Sequence, residues 1–272
     1  MTDVIVKATK IKRKAKFFML LNKNLTKLPT DGTAVISDLF PIKRGNDWHT
    51  EFELLNVSGL ITGDNNESKP YVVNFYFFSA IGNLLGSRSV TVENVGRKTI
   101  KLSELMIGDI KEAATFSVFH PPIYDKTYMA GSFLAERGYS GYEYQNLGVK
   151  GYVHGNLDAV ALVRGEVQPL GNSGLIPRFY TVQHCLRGPA KYEFVFTNPT
   201  SKKMKITPNV SLNKKNWFAK ASFIMNSLGS HTFTVDIKES EKAYVRFKSK
   251  LYLGRPVVFR ISNDSMDNRV SN

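Results

Sequence analysis

With one cysteine, Cys185, in 272 residues, the chain cannot close an internal disulfide, which removes the stapled small domain and the framework of a secreted module. Long apolar runs are missing as well. The stretch near the start, Phe17 to Leu21, is too short for a signal-peptide core and far short of the roughly 20 residues a membrane helix needs. The sequence therefore reads as a soluble protein made without export, in the cytoplasm. The Asn-x-Ser/Thr triplets at Asn24, Asn56, Asn66, Asn209 and Asn263 are then chance matches. No segment sustains a 3.6-residue apolar period, so helices should be few and short.

Catalytic signatures are scarce too. The histidines His49, His120, His154, His184 and His231 fall at no metal-ligand spacing. Cys185 lies beside His184 in a predicted strand, where neighbouring side chains point to opposite faces, so the two cannot form a nucleophile pair and Cys185 reads as a small buried hydrophobe. Gly82-Asn83-Leu84-Leu85-Gly86 and Gly138-Tyr139-Ser140-Gly141 match neither a P-loop nor a dinucleotide fingerprint. These gaps predict no enzyme, no metal and no cofactor.

What the chain does have is a repeat. Glu51-Phe52-Glu53-Leu54-Leu55-Asn56-Val57-Ser58 returns 142 positions later as Glu193-Phe194-Val195-Phe196-Thr197-Asn198-Pro199-Thr200, and the region around Gly96 matches that around Gly229. Short β-branched and aromatic runs separated by Gly, Asn, Asp or Pro fill both copies. In the first they are Thr33 to Ile42, Trp48 to Asn56, Tyr71 to Ala80, Ser87 to Glu93 and Thr99 to Leu102. In the second they are Arg178 to Leu186, Tyr192 to Thr197, Lys203 to Leu212, Ala219 to Met225, His231 to Ile237, Ala243 to Lys248 and Pro256 to Ile261. Alternation of Phe52/Leu54 with Glu51/Glu53 predicts strands with one buried face and one solvated face. The expectation is an all-β protein of two tandem antiparallel β-sandwiches with Ig-like or jelly-roll topology. They would occupy residues 31–168 and 176–265, behind a basic arm at 1–30, with a Gly/Pro/Asn-rich boundary from Gln168 to Pro177.

Charge is uneven along this plan. Of the net +14, residues 1–30 carry eight Lys/Arg against one acid, 31–170 twelve against sixteen, and 171–272 seventeen against six. Clustered cations point to a polyanionic partner such as nucleic acid. The candidates are Lys10, Lys12, Arg13 and Lys14 in the arm and Lys202, Lys203, Lys205, Lys214 and Lys215 in the second copy, where lysines on an edge strand would also block aggregation. Aromatic residues concentrate elsewhere, in an insertion at 119–156 that holds six of the twelve tyrosines. Its length and composition suggest a binding loop, in which His120, Tyr124, Tyr128, Tyr139, Tyr142, Tyr144, His154, Asn156 and Asp158 would hold a glycan or a protein partner. Because rings and cations fall in different copies, a single stacking groove for nucleic acid is not expected unless it lies between them.

The segments His49 to Asn56, Gly82 to Val92 and Arg97 to Leu102, with Ser249 to Val258 in the second copy, resemble the small β-sandwich family of microbial sensory-rhodopsin transducers. The resemblance covers some 50 to 60 residues per copy and implies a non-enzymatic, often oligomeric interaction module. The tandem arrangement, the basic arm and the aromatic insertion depart from that pattern, so a rhodopsin partner is not carried over. The function expected is that of a binding or adaptor protein using the tyrosine-rich loop; the alternatives are a polyanion binder acting through the arm and the second copy, or a structural component such as that of a virion.

Overall fold

A computed structural model describes residues 34–45, 47–55, 70–92, 97–121, 138–144, 148–154, 160–252, 255–262 and 270–271. The basic arm lies outside the described residues, as do the Asn56 turn, Gly96 and most of the aromatic segment. The first half of the chain runs β1 (Val35–Ser37), β2 (Phe40–Pro41), β3 (Trp48–Leu55), β4 (Tyr71–Phe78), β5 (Leu84–Val92), β6 (Arg97–Lys101), a one-turn helix α1 (Leu102–Leu105), a 3-10 turn (Gly108–Glu112), β7 (Thr115–Phe119), β8 (Gly138–Tyr144), β9 (Lys150–Val153), β10 (Val160–Val163) and β11 (Glu166–Pro169). The second continues β12 (Ser173–Thr181), β13 (Leu186–Arg187), β14 (Ala190–Thr197), β15 (Met204–Ser211), β16 (Phe218–Ala219), β17 (Phe223–Met225), β18 (Ser230–Ile237), β19 (Lys242–Leu251), β20 (Val257–Ser262) and β21 (Val270–Ser271). The protein is all-β, and the strands fall close to where β-branched and aromatic runs place them. Among the described residues no helix is long and apolar enough to cross a membrane.

Among the described residues the strands form five small sheets, ordered β2-β7-β4-β5, β6-β3-β8-β9, β12-β19-β15-β16, β18-β14-β20-β21 and β1-β10-β11. In the third of these, β13 also pairs with β19 and β17 with β15. Every strand pair is antiparallel.

Each sheet packs on the next. The β15/β19 sheet meets the β14 sheet through Phe194, Phe196, Ile206, Val245 and Phe247. On its other side the β14 sheet presents Val195, Val257 and Phe259 to Trp48, Tyr142 and Val153 of the β3 sheet. The β3 sheet then packs Phe52 and Leu54 on Phe75, Phe77 and Phe116 of the β4 sheet. Phe78 and Phe119 of the β4 sheet meet Val160 of β10 and Leu228, in the turn between β17 and β18. The succession closes where Gly171 bridges to Thr200 and where Thr115 Oγ1 donates to the Leu228 carbonyl at 2.7 Å. The result is a propeller-like ring of five sheets, which corrects the expectation of two tandem sandwiches. The sequence repeat showed two similar strand sets, but not that the apolar outer face of β14 and β20 would pack onto the first half.

The repeat is visible in the topology all the same. The order β6-β3-β8-β9 corresponds to β18-β14-β20-β21, and β2-β7-β4-β5 to β13-β19-β15 with β16 and β17. Phe52 and Phe194 are both wholly buried at corresponding places. Part of the segment read as an inserted loop, residues 138–144 and 150–153, supplies strands β8 and β9 of the β3 sheet. The stretch read as an interdomain boundary, Gln168 to Pro177, lies largely in β11 and β12.

Alternation along β3 and β14 holds, but its meaning differs from the expectation. Glu51 and Glu53, expected on a solvated face, are each only 4% exposed, and Glu193 in the second copy only 8%. Buried carboxylates need partners, and each has them. Lys150 Nζ reaches Glu51 at 2.7 Å, Arg97 Nε reaches Glu53 at 2.6 Å, and Glu193 takes Lys43 at 2.7 Å and Lys191 at 2.9 Å. The Lys43–Glu193 pair joins the two halves beside Trp48 and Phe259, whose ring centroids lie 5.3 and 5.4 Å from the Lys43 ammonium.

Candidate functional site

The tyrosine-rich segment does not converge on one pocket among the described residues. Tyr142 is buried, its hydroxyl donating to the Pro41 carbonyl at 2.7 Å and its ring edge-on to Phe259. Burial pushes its phenol well above the ordinary range, and a side chain so enclosed is out of reach of an external ligand. Tyr144 shares that face of β8 and lies 5.1 Å from Trp48. Tyr139 points to the opposite face, its ring tilted against that of His154 with centroids 4.2 Å apart. His120 packs 5.5 Å from Tyr71. Tyr124, Tyr128, Asn156 and Asp158 lie outside the described residues.

Polar groups on the outer face of the β3 sheet are engaged with one another. The Tyr152 hydroxyl donates to Glu51 at 3.1 Å, and Thr99 Oγ1 donates to Glu53 at 2.7 Å. The Arg97 hydrogen bond holds the Glu53 carboxyl below its usual range, and Glu51 raises Lys150 in the same way. This network accounts for its own charges, and nothing in it is directed at a ligand. Cys185 is half-buried, with its thiol 3.7 Å from the Leu186 carbonyl. No group of three His, Cys, Asp or Glu that could hold a metal occurs among the described residues.

The second half is different. None of the strands β12, β13, β15, β16, β17 and β19 contains an aspartate or glutamate. Along β19, Ala243, Val245, Phe247, Ser249 and Leu251 are buried, so pleating turns Tyr244, Arg246, Lys248 and Lys250 outward. The pairing of β12 with β19 sets Phe179 opposite Lys248, and that of β15 with β19 sets Thr207 opposite Lys248 and Asn209 opposite Arg246. Lys205 shares this outward face of β15, between the buried Met204 and Ile206.

The turn after β15 completes the surface. Asn213 Oδ1 accepts the backbone N–H groups of Lys215 and Asn216, both at 2.9 Å. Lys214 adopts a left-handed backbone, φ 63°, which Asn213's side-chain bonds help to hold. In that conformation the Lys214 carbonyl accepts Trp217 Nε1–H at 3.0 Å, and its ammonium lies 4.5 Å from the Tyr244 ring centroid. Trp217 is thereby placed over β19. The Arg246 guanidinium sits between two rings, 4.1 Å from Phe179 and 4.2 Å from Trp217. Lys248 approaches the Phe179 ring at 5.9 Å, and Arg178 covers Tyr252 at 4.8 Å.

Of the cations expected to bind a polyanion, Lys205 and Lys214 join this face, and Lys202, Lys203 and Lys215 are exposed in the turns beside β15. Lys10, Lys12, Arg13 and Lys14 lie outside the described residues. Sequence reasoning missed Arg246, Lys248, Phe179, Trp217 and Tyr244, and it took rings and cations to be segregated in different halves. The structure brings both together within the second half. One signal could have found the face: no acidic residue occurs between Glu193 and Asp236, nor between Glu241 and Asp264. Compared with protein-family models and with curated proteins, the chain matches none, so the likeness to sensory-rhodopsin transducers rests on the quoted segments alone.

Proposed function

We propose that this chain is a non-enzymatic binding protein whose ligand is a polyanion, held on the outer face of β12, β19 and β15. Arg246 carries the reading. Its guanidinium is fixed between two aromatic rings on a sheet without acids, and its buried Nε meets no hydrogen-bond acceptor among the described residues. An arginine pre-ordered by stacking and left without a carboxylate is suited to receive phosphate or sulfate oxygens. Lys205, Lys214, Lys248 and Lys250 add further positive charge to the same face. Such a surface draws a charged polymer by releasing its counterions.

Affinity for a single-stranded 20-mer and for heparin, measured by fluorescence anisotropy from 50 to 300 mM salt, tests the proposal. Binding should weaken steeply with salt, and for the strand each phosphate neutralised should contribute about 0.7 to the logarithmic slope. Removing Arg246 and Lys248 together should lower that slope by more than one unit. Salt-independent binding, or none near physiological ionic strength, rejects the reading. The glycan or protein partner expected for the tyrosine-rich segment depends on residues outside those described.

A further inference from the structure

We infer that the polyanion is a single-stranded nucleic acid, held by base stacking as well as by charge; this rests on the polyanion reading above. Three observations distinguish it from a sulfated glycan or a duplex. First, the cations of this face are interleaved with rings. Trp217, Arg246 and Phe179 form one stack across the sheet, with Lys248 on its flank. Phe179 is 49% exposed, a large apolar ring held by its strand in an otherwise basic environment. Unpaired bases offer π-faces to such rings, whereas a duplex hides its bases and presents only phosphates to a broad surface.

Second, each member of the stack is anchored. Arg246 and Phe179 stand on paired strands, and Trp217 is fixed by its Nε1 hydrogen bond. Little side-chain entropy remains to be lost when a base docks. A duplex groove, by contrast, is read by an element that enters it, a helix or a two-stranded ribbon, and this face is an open sheet.

Third, the neutral polar side chains beside the stack are satisfied internally. Thr207 and Ser222 share a hydrogen bond of 2.8 Å, and Asn209 Nδ2 donates to the Thr207 carbonyl at 3.0 Å. With those groups engaged, the neutral polar side chains described beside the stack are turned to one another rather than to a base edge. Binding should therefore tolerate many sequences, as stacking does.

The decisive experiment uses the full chain with labelled oligo-dT 20-mer, a mixed-sequence single strand, a duplex of equal length and heparin, all at one salt concentration. The single strands should bind at least tenfold more tightly than the duplex and within about threefold of each other. Trp217 fluorescence should be quenched by single strand, and the quench should be reduced in Trp217→Phe, which leaves Trp48 as the remaining tryptophan. Phe179→Ala and Trp217→Ala should each weaken single-strand binding about tenfold, in line with the loss of one stacked base. Heparin, which offers no base to stack, should lose less, about threefold, because Arg246 then keeps only one of its two rings, and the salt slope should stay within about 0.7 of the parent because every cation remains. Thermal melts matching the parent would show that each variant folds, and the two variants test the stack independently. Equal binding of strand, duplex and heparin, unaffected by removing either ring, overturns the inference while leaving the polyanion reading intact. No binding to any of the three overturns both.

Discussion

Replacing Lys43 by methionine tests how the ring of sheets is held together. The Lys43 and Glu193 side chains are 9% and 11% exposed and 2.7 Å apart, across the contact between the two halves of the chain. Removing one partner of a fully buried pair costs about 3–5 kcal/mol, because the other charge stays buried and uncompensated. Glu193 retains Lys191 at 2.9 Å, on a side chain 47% exposed, and this second cation recovers about half of that cost on the same scale. Losing the ammonium beside Trp48 and Phe259 adds about 0.5–1 kcal/mol, while methionine keeps most of the apolar stem. The expected destabilisation is about 2–3 kcal/mol, or a fall in Tm of roughly 2–4 °C for each kcal/mol. With Glu193→Gln already in place, the same change should cost only about 1 kcal/mol, so the coupling is about 1–2 kcal/mol. Urea unfolding followed by circular dichroism and by tryptophan fluorescence measures all four corners of the cycle, since Trp48 stands beside the pair. A coupling below about 0.3 kcal/mol, within ordinary additivity, would refute the claim that this ion pair links the halves.

Two other perturbations follow from the same contact surfaces. Gly82, at φ +86°, lies against the Ser227 carbonyl of the second half, whereas Gly148, at φ +69°, faces open space. Urea unfolding should show Gly82→Ala losing about 3 kcal/mol or more, and Gly148→Ala only the 1–2 kcal/mol of left-handed strain; equal losses would mean that the turns do not nest. Burial by itself would raise the Glu193 carboxyl, but the hydrogen bonds and charges of Lys43 and Lys191 outweigh it and hold it below its ordinary 4.5. A depressed carboxylate stabilises the folded protein above its unfolded value, and that contribution is lost as pH falls through the folded one. Stability measured from pH 6 to pH 2 should therefore decline below about pH 4.5, and Glu193→Gln should flatten the decline; an unchanged acid limb would remove Glu193 as its source.

Strand positions were legible because they depend on local chemistry. Val73, Phe75 and Phe77 alternate with Asn74 and Tyr76, and β4 follows them. The turn at Asn198 was legible too, since Asn and Thr side chains bond their own backbone in tight turns: Asn198 Oδ1 accepts the Thr200 N–H at 3.1 Å. The role of Glu193 was not legible. Nothing in its neighbours Phe194 and Phe196 signals that both faces of β14 are covered, because Trp48 and Tyr142, which pack with Val195 and Phe259, come from distant segments. The placing of Tyr142 and Tyr139 was not legible for a similar reason. Composition marked the segment as aromatic, but β-pairing sent Tyr142 and Tyr139 to opposite faces of one sheet.

The sequence by itself determined an all-β chain, a repeated order of strands and a basic second half, because propensity, alternation and charge are carried by neighbouring residues. Tertiary structure decided what those charges and rings could do together. Phe179, Trp217 and Arg246 stand far apart along the chain and meet because β12 and β15 pair on either side of β19. Pairing between distant strands depends on the packing of the whole core, which no local pattern encodes.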